Sequence, residues 1–383
     1  MTLRAVRVPP ALAGALVALL LAEGAVRVLL AGGLLPHEPG WINDEYPAKV
    51  AAMEDLAADG GASTVILGSS VADTGIDPAR LSDAAAGPRG AYNAALLGPT
   101  PTTVERWSAG WVEPLLAPEV VVFVVSSRDL NANAPHLPEH EQRFAEGRWV
   151  RHRLGTESPW QRVERWVTQQ SALLRYRTVL HRPVASILRA SPPPLTEDGM
   201  DTHLLDEGYR IELFLDNLLA PGSTANAWED FELDRARMAA MTALAERLAD
   251  AGTRVVLVDT PVTVDYPPLH PDGVRDYLAY RDALAGLAAD TGSELVVAGF
   301  FPPEQQADPL HVNGDGATRL TALVDSVLTA EPTTDGGRVD LESVPGASEH
   351  AGPADPRDPD VPGPRTIPPE GPEALTRHGP GEP

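Results

Sequence analysis

The chain has no cysteine. Disulfides, thiolate metal centres and cysteine nucleophiles are therefore excluded. Positive charge is scarce: 30 Lys and Arg stand against 54 Asp and Glu, a net charge of −24, and Lys49 is the sole lysine. Without a basic stripe to meet phosphates, a general nucleic-acid role is excluded. The reliance on arginine reads as compositional bias. Proline and glycine are plentiful, 38 and 33, which points to loop-rich or unstructured stretches. At 383 residues, the chain can hold one large domain or two ordinary ones.

The N-terminal stretch, residues 1–35, places Arg4 and Arg7 before an apolar run from Ala11 to Ala22. Glu23 and Arg27 interrupt it, and Val28 to Leu35 is apolar again. The first run alone is shorter than the roughly 20 residues a bilayer needs, and would suit the apolar region of a cleaved signal. The whole of 11–35 is long enough if Glu23 and Arg27, at i,i+4, pair near the outer boundary. We read it as an uncleaved signal-anchor, a single transmembrane helix. The flanking arginines then leave the N-terminus inside and the rest outside.

Residues 36–330 carry an α/β pattern. Runs hydrophobic on both faces recur at 63–68, 119–126, 253–260 and 294–300, with a shorter one at 91–96. Parallel strands covered on both sides have this character. Helical segments at 231–252 and 274–292 alternate with them, so the pattern predicts a doubly wound parallel sheet. A Trp- and Arg-rich insertion at about 132–230 reads as a helical subdomain packed on the main body, with a substrate- or partner-facing lid near the membrane as the alternative. Beyond Glu331 the acidic, Pro- and Gly-rich tail, 331–383, reads as disordered.

In open parallel sheets, reactive groups collect beyond the carboxyl ends of the strands. There the sequence puts Gly68-Ser69-Ser70, then Asn93 and Gly98, then Ser126 to Asn131, and finally Asp308 and His311. Serine, histidine and aspartate on one rim suit nucleophilic acyl chemistry. Histidine takes the hydroxyl proton, and the acid holds its tautomer. Either serine of the first turn fits that role.

These blocks, in this order, resemble the SGNH (GDSL-like) hydrolase superfamily. The family's Gly-Asp-Ser is matched by Gly68-Ser69-Ser70, which selects Ser70 as nucleophile and leaves Ser69 where aspartate is usual. Gly98 matches the glycine whose N–H serves the oxyanion hole. Asp308 and His311 match the final Asp-x-x-His. The third block departs: Ser126-Ser127-Arg128-Asp129 stands for Gly-x-Asn-Asp, so Arg128 or the nearby Asn131 takes the place of the third oxyanion donor. The resemblance covers about residues 60–330, apart from the insertion. It implies a three-layer α/β/α flavodoxin-like fold, no cofactor and no metal.

With the anchor and the insertion, the closest likeness is to membrane-anchored members that modify cell-envelope polymers. The implied function is an extracytoplasmic serine esterase or O-acyltransferase acting on acyl esters of an envelope glycan. Its implied partners are an acylated envelope polysaccharide or small acyl ester and a multispanning membrane acyltransferase. The alternative is a non-catalytic scaffold of the same fold. Among the remaining residues, His136 and His140 read as loop histidines because Pro138 opposes a helix. Asp73 shares a turn with Ser70, which argues against its orienting the histidine. Asp259 reads as a cap at a strand end, and Trp107 and Trp111 as core.

Overall fold

The computed structural model describes residues 9–32, 35, 41–134, 137–180, 193–212, 214, 231–330 and 338–340. All of these fall within one unit, Met1–Pro353. In chain order, the elements that matter to the site begin with α1 (Pro10–Ala31) and α2 (Glu45–Ala58). β1 (Thr64–Gly68), α3 (Ser70–Asp73), β2 (Ala91–Asn93), α4 (Pro101–Trp107) and β3 (Val120–Val125) follow. Next come α5 (Ser127–Leu130), α6 (Leu137–Glu146), α7 (Arg148–Arg153), α8 (Pro159–Gln170) and α9 (Ala172–Arg175). The chain then continues through α10 (Arg235–Asp250), β4 (Arg254–Asp259), α11 (Val274–Thr291), β5 (Glu294–Val297) and α12 (Gly314–Thr329).

Among the described residues, five parallel strands lie in the order β2-β1-β3-β4-β5. A short sixth, β6 (Arg338–Asp340), pairs in parallel with β5. β6 comes from the stretch expected to be without structure; the rest of 331–383 lies outside the described residues. Val, Ile and Leu fill the central strands, and every residue of β1 is buried. That two-faced burial explains why the sequence shows no alternation there. The register sets Gly68 beside Val124 and Val125 beside Asp259, so the strands end on one rim.

The long helices end close to their sequence signals: α10 at Asp250 and α11 at Thr291, with Gly292 in a left-handed cap. Trp107 and Trp111 are buried and stack with ring centroids 5.3 Å apart. The expected loop around His140 is instead helix α6. Pro138 occupies its second position, where a missing N–H breaks no helical bond. His136 lies outside the described residues. α1 is 22 residues long, with a mean hydropathy of 2.0 over an 18-residue window, long and apolar enough to span a membrane. Its Glu23 and Arg27 do pair, at 2.7 Å.

The sole lysine is not a surface residue. Lys49 is fully buried on α2, 2.5 Å from Asp73 and 3.5 Å from Glu45, and it also donates to the Ala95 carbonyl. Glu45 in turn accepts the Leu97 N–H at 3.0 Å. Burial pushes Asp73 up, against the pull of the Lys49 charge. The cluster joins three separate segments, and removing its only cation strands two buried carboxylates. Lys49→Met should therefore cost about 3–5 kcal/mol in unfolding free energy. Asp73→Asn, which leaves Lys49 with Glu45 and a carbonyl, should cost less. Urea unfolding of the two variants checks that order.

Candidate active site

The turn after β1 depends on Gly68. Its φ is +146°, and a Cβ there would sit 2.4 Å from the Val124 carbonyl oxygen and 2.6 Å from Ala72 Cβ. A glycine is needed because α3 folds straight back onto β3. Ser69 then points inward. Its hydroxyl donates to Asp129 Oδ2 at 3.0 Å, and Ser126 donates to the same oxygen through its N–H and its hydroxyl, both at 2.9 Å. Burial raises the Asp129 carboxyl, partly offset by Arg128 and these donors. Ser69 is thus a tie between the ends of β1 and β3.

Ser70 points outward. Its Oγ lies 2.8 Å from His311 Nε2, and His311 Nδ1 lies 2.8 Å from Asp308 Oδ2. The carboxylate accepts at Nδ1, which places a proton there and leaves Nε2 to accept from Ser70. Asp308 Oδ1 also accepts the N–H groups of Leu310 and His311, both at 2.8 Å, so the loop is wound around its own acid. Burial alone would raise Asp308, but His311 and those N–H donors outweigh it and hold the carboxyl below its ordinary value. Asn313 locks the loop to α12, accepting from the N–H groups of Asp315 and Gly316 and donating to the Glu304 carbonyl. The triad stays open: the His311 and Asp308 side chains keep 15 % and 18 % of their exposure.

Gly98 is brought to this turn by the backbone. Ala94 N–H donates to Ile66 O and Leu96 N–H to Gly68 O, so the chain runs beside β1 until two residues before Gly98. Gly98 has φ +76°, and neither its N–H nor that of Ser70 donates to another described group. Arg128 is half-buried at the end of β3, and its guanidinium makes no hydrogen bond among the described residues. Asn131, the other candidate donor, lies at the start of the insertion. It is fully buried, and its Oδ1 accepts the N–H groups of Asn133 and Glu232 while its carbonyl accepts from Arg237. It fastens the start of the insertion to its end.

Two other acids are also structural. Asp73 belongs to the Lys49 cluster. Asp259 accepts from Tyr280 at 2.9 Å and pairs with Arg281 at 3.2 Å, rather than capping the next segment. Among the described residues, no group of three or more His, Asp and Glu is arranged to hold a metal. Lys49 and Asp129 escaped the sequence reading. The one signal for Lys49 was a lone lysine at i,i+4 from Glu45.

A second serine–histidine contact sharpens the first. Ser127 Oγ lies 2.9 Å from His270 Nε2 and 2.9 Å from the Tyr266 hydroxyl. Here Nδ1 faces the Pro267 carbonyl at 3.1 Å, and both residues are buried. With a backbone carbonyl rather than a carboxylate at Nδ1, and with both residues buried, this pair braces the core. Comparison with protein-family models, curated proteins and solved structures finds no match to the chain.

Burial pushes His270 down to about 4, and likewise His140. Between that value and the ordinary 6.5, the unfolded chain takes up protons that the folded chain refuses. Stability therefore rises with pH across this window and is lost on acidification from about pH 6.5 to 4, by about 3 kcal/mol for His270. Unfolding midpoints measured across that range should show the slope, and His270→Asn should remove about half of it, leaving the His140 part.

Proposed function

We propose that the chain is a serine esterase or O-acyltransferase of the SGNH type, acting on acyl esters of a cell-envelope glycan. The observation that carries this reading is the Ser70–His311–Asp308 arrangement, with both hydrogen bonds at 2.8 Å on an open rim. The strand order β2-β1-β3-β4-β5 supports it, being the order of flavodoxin-like folds. α1 acts as a single-pass membrane anchor, and the α/β domain is extracytoplasmic.

In this reading Ser70 Oγ attacks the ester carbonyl while His311 Nε2 takes its proton. Asp308 holds the imidazole and stabilises its charged form. The N–H groups of Ser70 and Gly98 meet the oxyanion, each such donor contributing about 10²–10³ in rate. Arg128, whose charge acts on Asp129 behind Ser69, supplies positive charge near the same turn. The tetrahedral intermediate collapses, the alcohol leaves with the proton from His311, and the acyl group stays on Ser70. Water or a sugar hydroxyl, deprotonated by His311, then takes the acyl group. A transferase needs an acyl donor from across the membrane, which a multispanning acyltransferase partner would supply.

A serine-directed fluorophosphonate probe tests the reading on the purified full chain. Labelling should occur in the native chain and in Ser69→Ala, and vanish in Ser70→Ala. Absence of labelling in folded native protein would favour the non-catalytic scaffold. With a model acetyl ester, Asp308→Asn should lower the turnover rate by about 10³–10⁴, as expected when the orienting acid is lost.

A further inference from the structure

The insertion carries an apolar face that the triad does not explain. On α8, Trp160, Val163, Trp166 and Val167 recur at i, i+3, i+6 and i+7, one side of a helix. Trp160 and Trp166 are 74 % and 62 % exposed, and both valines lie open beside them. Contiguous apolar surface of this kind marks a site of interaction. The opposite side of α8 closes a cavity of about 360 Å³ that the triad residues do not line. Arg143, Arg148, Arg151, Arg165, Arg175 and Arg177 line it, together with glutamates. Residues 137–180 hold eight arginines against five glutamates, a net charge of +3 within a chain of −24.

The same helix is fastened to α1. Ser171 Oγ and the N–H groups of Ala172 and Leu173 donate to the Glu23 carboxylate at 2.8, 2.8 and 2.9 Å. Arg27, already paired with Glu23, donates to the Gln170 carbonyl at 3.1 Å. Above this junction, Val26 and Leu35 pack with Ala172, Tyr176 and Val179. Whatever level Glu23 takes, the end of α8 takes too.

We propose that α8 is an in-plane interfacial helix whose Trp160, Val163, Trp166 and Val167 face sits in the outer headgroup–acyl boundary of the bilayer that α1 crosses, with a preference for anionic phospholipid. Tryptophan is suited to that depth, and arginine-flanked amphipathic helices bind anionic leaflets. The dimensions agree. Pro10 to Ala22, below the junction, spans about 20 Å, roughly 10 Å short of a hydrocarbon core. A helix whose apolar face sinks about 5–10 Å into the boundary draws Glu23 down with it and closes most of that gap. Glu23 tolerates the depth because Arg27 and three donors satisfy its charge.

This inference rests on the anchor reading of α1, and the test separates the two. Because the chain lacks cysteine, a single environment-sensitive fluorophore can be placed through Val163→Cys, Leu16→Cys or Asp290→Cys. The full chain is reconstituted in vesicles of phosphatidylcholine, with or without phosphatidylglycerol, containing nitroxide-labelled lipid. The label at 163 should be quenched severalfold more than the exposed control at 290, and more again with phosphatidylglycerol. The label at 16 should respond to nitroxide deep in the acyl chains. If 163 behaves like 290 while 16 is quenched, the interfacial helix is overturned and the anchor stands. If 16 is not quenched, the anchor fails and this inference with it. Shielding at 163 that follows protein density at fixed lipid would assign the face to a second copy of the chain and overturn the membrane contact.

Discussion

The buried ammonium of Lys49 is the interaction on which the geometry of the site depends. It sits under the turn that carries Ser70, bonded to Asp73 one helical turn along α3 and to the Ala95 carbonyl in the segment between β2 and Gly98. Glu45, on the same helix, holds the Leu97 N–H. One cation and its two carboxylates thus set the distance between the turn that carries Ser70 and the loop that carries Gly98. A buried ion pair adds little net stability compared with apolar packing of the same volume. What it adds here is position, because charge-assisted bonds in a low-dielectric interior permit few alternative arrangements.

Above that base, two carboxylates divide the labour of the rim. Asp129 faces inward and ties Ser69 to the end of β3, so the residue standing where an aspartate is usual meets an aspartate from α5, the short helix that follows β3. Asp308 faces outward and holds His311. Ser70–His311 and Ser127–His270 have nearly equal serine–histidine distances but different surroundings. The difference lies in the partner of the second ring nitrogen, a carboxylate in one and a backbone carbonyl in the other, and in exposure.

The insertion links this rim to α1. Its helices leave the sheet after Asn131, and Asn131 itself bonds to the returning chain at Glu232, so the excursion begins and ends at one point beside the site. Between those ends it reaches Glu23. The insertion therefore holds the rim and α1 in one connected structure.

Much of this was legible in the residues. Two-faced apolar runs separated by helical periods have few solutions other than a covered parallel sheet, and the strand ends then bring Ser70, Gly98, Asp308 and His311 to one rim. The Glu23–Arg27 pair follows from helical spacing alone. The roles of Lys49, Asp129, Asn131 and His270 were not legible, because each depends on a partner 24 to 143 residues away, reached only when the sheet closes. Pro138 misled because its effect depends on whether it stands inside a helix or at its start. The sequence by itself determined the class of fold, the order of the chemistry-bearing blocks and the apolar helix, since these rest on local period and composition. Only the tertiary structure decided which serine faces in and which out, which polar groups are spent on the core, and that the insertion is fastened to α1. Those outcomes rest on contacts between distant segments, where burial and hydrogen bonding are settled together.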